Sequence, residues 1–171
     1  SFQAWQMAHT GLSYGLHPSV KRDDPILQSS DNEFDEEYTV TITPEASRLN
    51  INRALKDSDK TLLFNLFTKW GMEDKQVDQL IDALVDWIDG DDLSNLNGAE
   101  KDDYEELGYL DRPYNRDFRD LDEMQLVRGF GLLEDANPNW REAFTIWSNG
   151  GLDIHEAAPD LLAVTAEVDD T

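Results

Sequence analysis

The 171-residue chain contains no cysteine, which removes disulfides, thiol nucleophiles and cysteine–zinc centres from consideration. Histidine is almost as scarce. His9, His17 and His155 are scattered over segments expected at the surface or near the ends, and no Ser-His-Asp order can be placed on them. No G-x-S-x-G elbow is present either. No apolar run reaches the roughly 18 residues that a membrane-spanning helix needs. Positive charge is short as well: 14 Lys and Arg stand against 37 Asp and Glu, a formal net charge of −23. Such a surface is repelled by phosphate backbones and anionic lipid, which excludes nucleic acid as a partner and favours cations and basic protein surfaces.

What the chain does have is enough apolar and aromatic material to fold. Hydrophobic residues make up 39%, with seven Phe, five Trp and five Tyr, whereas disordered chains are poor in aromatics. Ala4, Ala8, Gly11, Leu12, Gly15 and Leu16 mark one narrow face of a helix over 2–16, ended by Gly15 and Pro18. Residues 18–36 read as a polar, acidic loop. Alternation through Tyr38-Thr-Val-Thr-Ile-Thr43 predicts a strand, and Arg48–Asn52 a second one, so that the two form a β-hairpin. From residue 59 the pattern turns helical. Leu62, Leu63, Leu66, Phe67 and Trp70 share one face; Val77, Leu80, Ile81, Leu84, Val85 and Ile88 share another, with Glu73 or Asp74 as its cap. Further helices are expected over 99–107, 120–128, 138–147 and 158–166, with a brief strand over 151–155. Trp70, Trp87, Trp140 and Trp147 fall at apolar helical positions and are expected in the core. Arg48, Asn50 and Asn52 either satisfy buried loops or sit on the solvent face of the sheet, and the solvent face is the expectation.

The densest local signal is Asp86-Trp-Ile-Asp-Gly-Asp-Asp92, followed by Asn95, Asn97, Gly98 and Glu100. Asp89, Asp91 and Glu100 occupy the first, third and twelfth places of a twelve-residue stretch, three of the oxygen positions of a helix–loop–helix calcium loop. Leu93 and Ser94 stand at the fifth and sixth places, where an oxygen ligand and glycine are required, so the segment is not an EF-hand. Two readings fit it: an oxygen-rich loop for a hard cation, or a solvated acidic loop that caps the next helix. Catalysis by the same carboxylates is a poorer reading, since 37 acids make chance pairs inevitable. The stretch Leu126–Gly131 has the form of a helix, a glycine turn and a new helix. Some DNA-binding hairpins share that form, but Arg128 is surrounded by Asp120, Asp122, Glu123, Glu134 and Asp135, so a structural hairpin is expected.

Five segments in order carry a family resemblance: Glu45-Ala-Ser-Arg-Leu-Asn-Ile-Asn52, Ile81-Asp-Ala-Leu-Val-Asp-Trp-Ile-Asp-Gly-Asp91, Gly98-Ala-Glu100 with Tyr104, Arg112-Pro-Tyr114, and Leu121-Asp-Glu-Met-Gln-Leu-Val-Arg-Gly129. Together they resemble the general secretion pathway protein K family, the large minor pseudopilins of type II secretion systems. The resemblance runs from the first residue to near 163, with Leu152-Asp-Ile-His-Glu-Ala-Ala-Pro159 in place of an Asn-x-Asn-x-Ala-type segment.

The resemblance implies an α+β fold: a pilin-like N-terminal helix packed on a small antiparallel sheet, with a large inserted helical domain of SAM-like or helix-hairpin-helix-like type. The expected division is 1–55 for the pilin-like helix and hairpin, 56–150 for the inserted domain with its acidic loop, and 151–171 for a segment returning toward the pilin-like part. The transmembrane half of the pilin helix is absent from the sequence. The resemblance further implies a non-enzymatic protein of the periplasm, anchored in the inner membrane by a single pass, at the pseudopilus tip. Partners would be the I- and J-type minor pseudopilins and the major pseudopilin, in the fibre that exports folded proteins. It also implies calcium in the inserted domain, with Asp89, Asp91 and Glu100 as ligands and Asp86, Asp92, Asn97 and Asp103 as further candidates. Ala4, Ala8, Gly11 and Leu12 are small or apolar enough to let partner helices approach. The alternative is a stand-alone acidic helical module that docks a basic protein, and a metal-dependent hydrolase comes third.

Overall fold

The computed structural model describes residues 2–31, 36–58, 60–149, 151–153 and 155–169. The chain divides into two compact units, 1–43 and 44–171.

The first unit is one helix with a hairpin. Helix α1 (Phe2–Gly15) follows the small-residue face read from the sequence. A 3-10 turn, Pro25–Leu27, is capped by the Asp24 carboxylate, which accepts the Ile26 N–H at 3.0 Å. It leads into β1 (Gln28–Asp31), paired antiparallel with β2 (Glu36–Thr39) in the register Gln28 opposite Thr39. The expected loop over 18–36 therefore supplies a strand, and the partner of the Tyr38 strand is β1 rather than Arg48–Asn52. Residues 28–31 are Gln-Ser-Ser-Asp, with no apolar alternation to announce a strand. Gly11 is the contact point between helix and hairpin. A Cβ there would sit 2.9 Å from Tyr38 Cδ2 and 3.0 Å from Val40 Cγ2, so only glycine allows this approach.

The second unit holds the large core. Strand β3 (Leu49–Asn50) pairs in parallel with β4 (Phe144–Thr145). Between them in sequence run α2 (Ile51–Lys56), α3 (Thr61–Lys69), α4 (Asp74–Ile88), α5 (Lys101–Glu106), a 3-10 segment Leu121–Leu126 and α6 (Phe130–Ala136). The predicted helix over 138–147 is replaced by a 3-10 turn, Trp140–Glu142, and by β4. Helix α7 (Pro159–Asp169) packs on α3, burying Leu161 and Val164. The expected strand over 151–155 includes Ile154, outside the described residues; Asp153 and His155 instead share a turn, the His155 N–H bonding Asp153 Oδ1 at 3.0 Å.

The sequence-based boundary at 55/56 falls inside α2, whose Ile51 and Leu55 are buried in the second unit's core. Asn50 and Asn52 hold that junction, contrary to their expected solvent-facing role. Asn50 accepts the Arg53 N–H at the start of α2 and donates to the Ser148 carbonyl at 2.8 Å. Asn52 makes a reciprocal pair with the Phe118 backbone, at 2.9 and 2.8 Å. Trp87 and Trp140 lie in the core as expected, against Tyr104, Tyr114 and Phe118 for the first and Phe130 for the second. Trp70 is half-buried, its indole N–H on Asp160, and Trp147 is 76% exposed, whereas Phe144 and Thr145 of the short β4 are buried. Among the described residues no helix is long and apolar enough to cross a membrane.

Candidate functional site

Helix α4 brings the acidic loop to the core. Its buried stripe Val77, Leu80, Ile81, Leu84, Trp87 and Ile88 sets the rotation of the helix, and the same rotation turns Asp86 inward, where it is fully buried. A carboxylate in the last turn faces the negative end of the helix dipole, so Asp86 needs donors to offset the cost. Asn95 supplies them: its backbone N–H lies 3.2 Å from both Asp86 oxygens, and its side-chain amide donates to Oδ1. One turn earlier, Asp82 accepts the Asn97 backbone N–H and side-chain amide, both at 3.0 Å. Two carboxylates on one helix face thus hold down the outgoing loop. Gly98 passes so close to Asp86 that a Cβ would lie 2.7 Å from its Cγ.

Glu100 precedes α5 and is 4% exposed; its carboxylate faces the Asp103 N–H in a capping-box arrangement but makes no close hydrogen bond. Burial, and then the charges of Asp86, Asp89, Asp92 and Asp91, raise its pKa from 4.5 to about 7. Asp89, at the C-terminal end of α4, is raised too, first by burial and then by Asp91 and Asp86, against a lowering hydrogen bond from the Asp91 backbone. Its Oδ1 is buried without a partner. Five of the seven expected ligands therefore share one electrostatic neighbourhood: Asp86, Asp89, Asp91, Asp92 and Glu100. The remaining two are engaged elsewhere. Asn97 is bound to Asp82. Asp103 pairs with Arg128 at 2.8 Å and accepts the Glu100 N–H at 3.0 Å. Asp91 itself caps the next turn, accepting the Leu93 N–H at 2.9 Å. Among the described residues, no three carboxylates or histidines converge in a geometry that holds a metal ion as it stands.

Two further residues support this site: Arg128, which the sequence marked only as part of a glycine-turn hairpin, and Asn115, which it did not mark. Arg128 places one nitrogen on Asp103 and another on the carbonyls of Asn97 (3.1 Å) and Gly98, tying the loop to the glycine turn before α6. That turn requires Gly129, which lies at φ +85°. Asn115, at φ +48°, donates to the Asp91 carbonyl at 3.3 Å and keeps a buried, unpartnered Oδ1. A chain segment 24 residues away in sequence thus supports the loop, a placement visible only after folding.

The expected partner face lies on α1. Gly11 is buried against its own hairpin, as described above. Ala4, Ala8 and Leu12 are exposed and, with Glu37–Thr41, line a groove of about 460 Å³.

The family model of the type II secretion system (T2SS) protein K matches residues 47–132, half of the chain and the whole of the acidic loop. No curated protein matches the chain in sequence. Among solved structures, the fold is similar to a chain in the crystal structure of the GspK-GspI-GspJ complex from the enterotoxigenic Escherichia coli type 2 secretion system, with a TM-score of 0.63 and 15% identity over 99% of this chain. This chain spans 64% of that chain's length. With half of its length on the family model and its fold along nearly all of it, the chain belongs to the type II secretion system protein K family.

Proposed function

We propose that this chain acts as a minor pseudopilin, a non-enzymatic component of the type II secretion pseudopilus. It would join I- and J-type minor pseudopilins at the tip and start the fibre, with the major pseudopilin below it. The observation that carries this reading is the family match over 47–132, joined to a fold like that of a protein solved together with GspI and GspJ. Its place is the periplasm, on a protein anchored in the inner membrane. Co-expression with the I- and J-type pseudopilins of the same organism tests it: the three should co-purify, and Leu12→Arg on the exposed face of α1 should weaken recovery. Failure to recover either partner, with capture of unrelated basic proteins instead, would favour an acidic docking module.

The acidic loop is the place for calcium in this reading. Glu100 and Asp89 Oδ1 offer buried oxygens without a close hydrogen bond, and Asp86, Asp91 and Asp92 add negative charge around them. Several like charges a few ångströms apart repel by about 1 kcal/mol or more per pair, a cost that a divalent ion removes. Calcium accepts irregular oxygen cages that magnesium does not. Thermal melting in chelator, in calcium and in magnesium is the test. Calcium alone should raise the midpoint, and Glu100→Gln should abolish the rise; equal melting in all three conditions would reduce the loop to a structural turn.

A further inference from the structure

Residues Glu45 and Arg48, the 119–122 segment, Arg141 and the 145–147 stretch surround a cleft of about 290 Å³ in the second unit. Three guanidinium groups, of Arg48, Arg119 and Arg141, meet there in a chain that has only 14 basic residues. Two of the cleft's three carboxylates stand against an arginine, and the third, Asp120, holds a backbone N–H. Glu45 accepts the Thr145 hydroxyl and lies 3.9 Å from Arg48. Asp122 is held by Arg141 through Nε at 3.0 Å and Nη2 at 2.7 Å. Asp120 accepts the Asp122 N–H at 2.8 Å. Arg119 is different. Among the described residues it is the one arginine without a hydrogen bond or ion pair, although 37 acids are available in the chain. Formal charge in the cleft balances, three arginines against Glu45, Asp120 and Asp122, and Arg119 is the guanidinium that none of the three pairs with.

Beside it stands Trp147. Its indole is 76% exposed, while Thr145, two residues earlier, is buried and accepts the Trp147 N–H on its hydroxyl at 3.1 Å. A large apolar side chain is thus presented to solvent from a backbone pinned to the core, at low further cost in ordering on binding. Tryptophan and arginine together are the side chains most enriched among residues that dominate binding energy.

We propose that this cleft docks a short extended segment of a partner protein that carries a carboxylate next to an apolar side chain. The carboxylate pairs with Arg119 and the apolar side chain lies on the Trp147 indole. The volume suits a few side chains rather than a folded surface. The molecule's overall negative charge repels broad acidic surfaces, so only a short segment whose charge is met inside the cleft is admitted.

The test is an NMR titration of the ¹⁵N-labelled 171-residue chain with the capped peptide acetyl-Leu-Glu-Phe-Glu-amide, its Gln counterpart and, separately, succinate. The Trp147 indole N–H and the Arg119 side-chain signals should shift saturably with the acidic peptide. The Gln peptide should bind at least about tenfold more weakly, and Arg119→Gln should lose the same factor, with amides far from the cleft unchanged as evidence of folding. Four results would overturn the proposal: no saturable shift up to about 10 mM peptide, equal binding of the Gln peptide, unchanged binding by Arg119→Gln, or succinate alone reproducing the shifts, which marks a small-anion site.

Discussion

Replacing Gly98 by alanine puts a methyl group where the Asp86 carboxylate lies, 2.7 Å from Cγ and 3.1 Å from Oδ1. Asp86 is fully buried and fixed by Asn95, so it has no solvent to swing into. Either the carboxylate abandons Asn95, losing hydrogen bonds to a charged group worth about 1.5–3 kcal/mol each, or the 97–98 backbone retreats. Retreat breaks the Asn97–Asp82 bonds and the Arg128 contacts. Overpacking of this kind costs about 1–3 kcal/mol by itself, so a total loss of about 3 kcal/mol is expected, out of a typical 5–15 for a domain. Urea unfolding followed by tryptophan fluorescence measures it. In an Asp86→Ala background the methyl meets empty space, and the same substitution should cost under about 1 kcal/mol, a coupling of about 2 kcal/mol. A single-mutant loss below about 1 kcal/mol would refute the reasoning. So would additive losses in the double mutant, even if Gly98→Ala alone is destabilising.

Arg128→Ala should cost about 1–2 kcal/mol and speed hydrogen exchange at the amides of residues 95–100; exchange that quickens equally everywhere would argue against a local clamp. The calcium-free protein should also lose stability as pH rises. Glu100 has a folded pKa of about 7 against 4.5 ordinarily, so between those values the folded state holds the proton that the unfolded state has released. Stability is then greatest below about 4.5 and falls through 7, by about 3 kcal/mol for this group. Midpoints measured from pH 5 to 8 in chelator should show the fall in the wild type and a smaller one in Glu100→Gln. Trp140→Ala should cost about 3–5 kcal/mol, since the ring is fully buried and packs edge-on against Phe130 at 4.8 Å between centroids. Trp147→Ala should stay within about 0.5 kcal/mol of wild type; a large loss there would mean that the indole packs in solution.

Helices α1, α3, α4 and α7 were legible because their information is local. Apolar residues recur at helical spacing, and Gly71 or Pro18 stops them. Strands were legible only in part: the alternation at Tyr38–Thr43 and the Arg48–Asn52 segment overlap β2 (Glu36–Thr39) and β3 (Leu49–Asn50), but their partners carried no local mark. Gln28–Asp31 is polar throughout and is a strand only because β2 lies beside it. Phe144–Thr145 is a strand only because Leu49–Asn50 arrives from far upstream, and that arrival displaced the helix its apolar spacing suggested. The acidic loop was likewise half visible. Its oxygen content and its place after α4 stand in the one-dimensional pattern, as do the five segments that identify the family.

Charge, the lack of cysteine, the main helices and family membership were thus determined by the sequence alone, since each depends on composition, short periods or the order of local segments. Tertiary structure decided which carboxylates are buried, which are paired, and which cation is left over. Asp86 and Glu100 stand out in the sequence only as members of an acidic stretch; that α4 turns one inward and the fold closes over the other shows only in three dimensions. Arg119 differs from Arg128 only in what the fold brings to it. Burial and pairing are long-range properties, set by residues tens of positions away, and no window along the chain contains them.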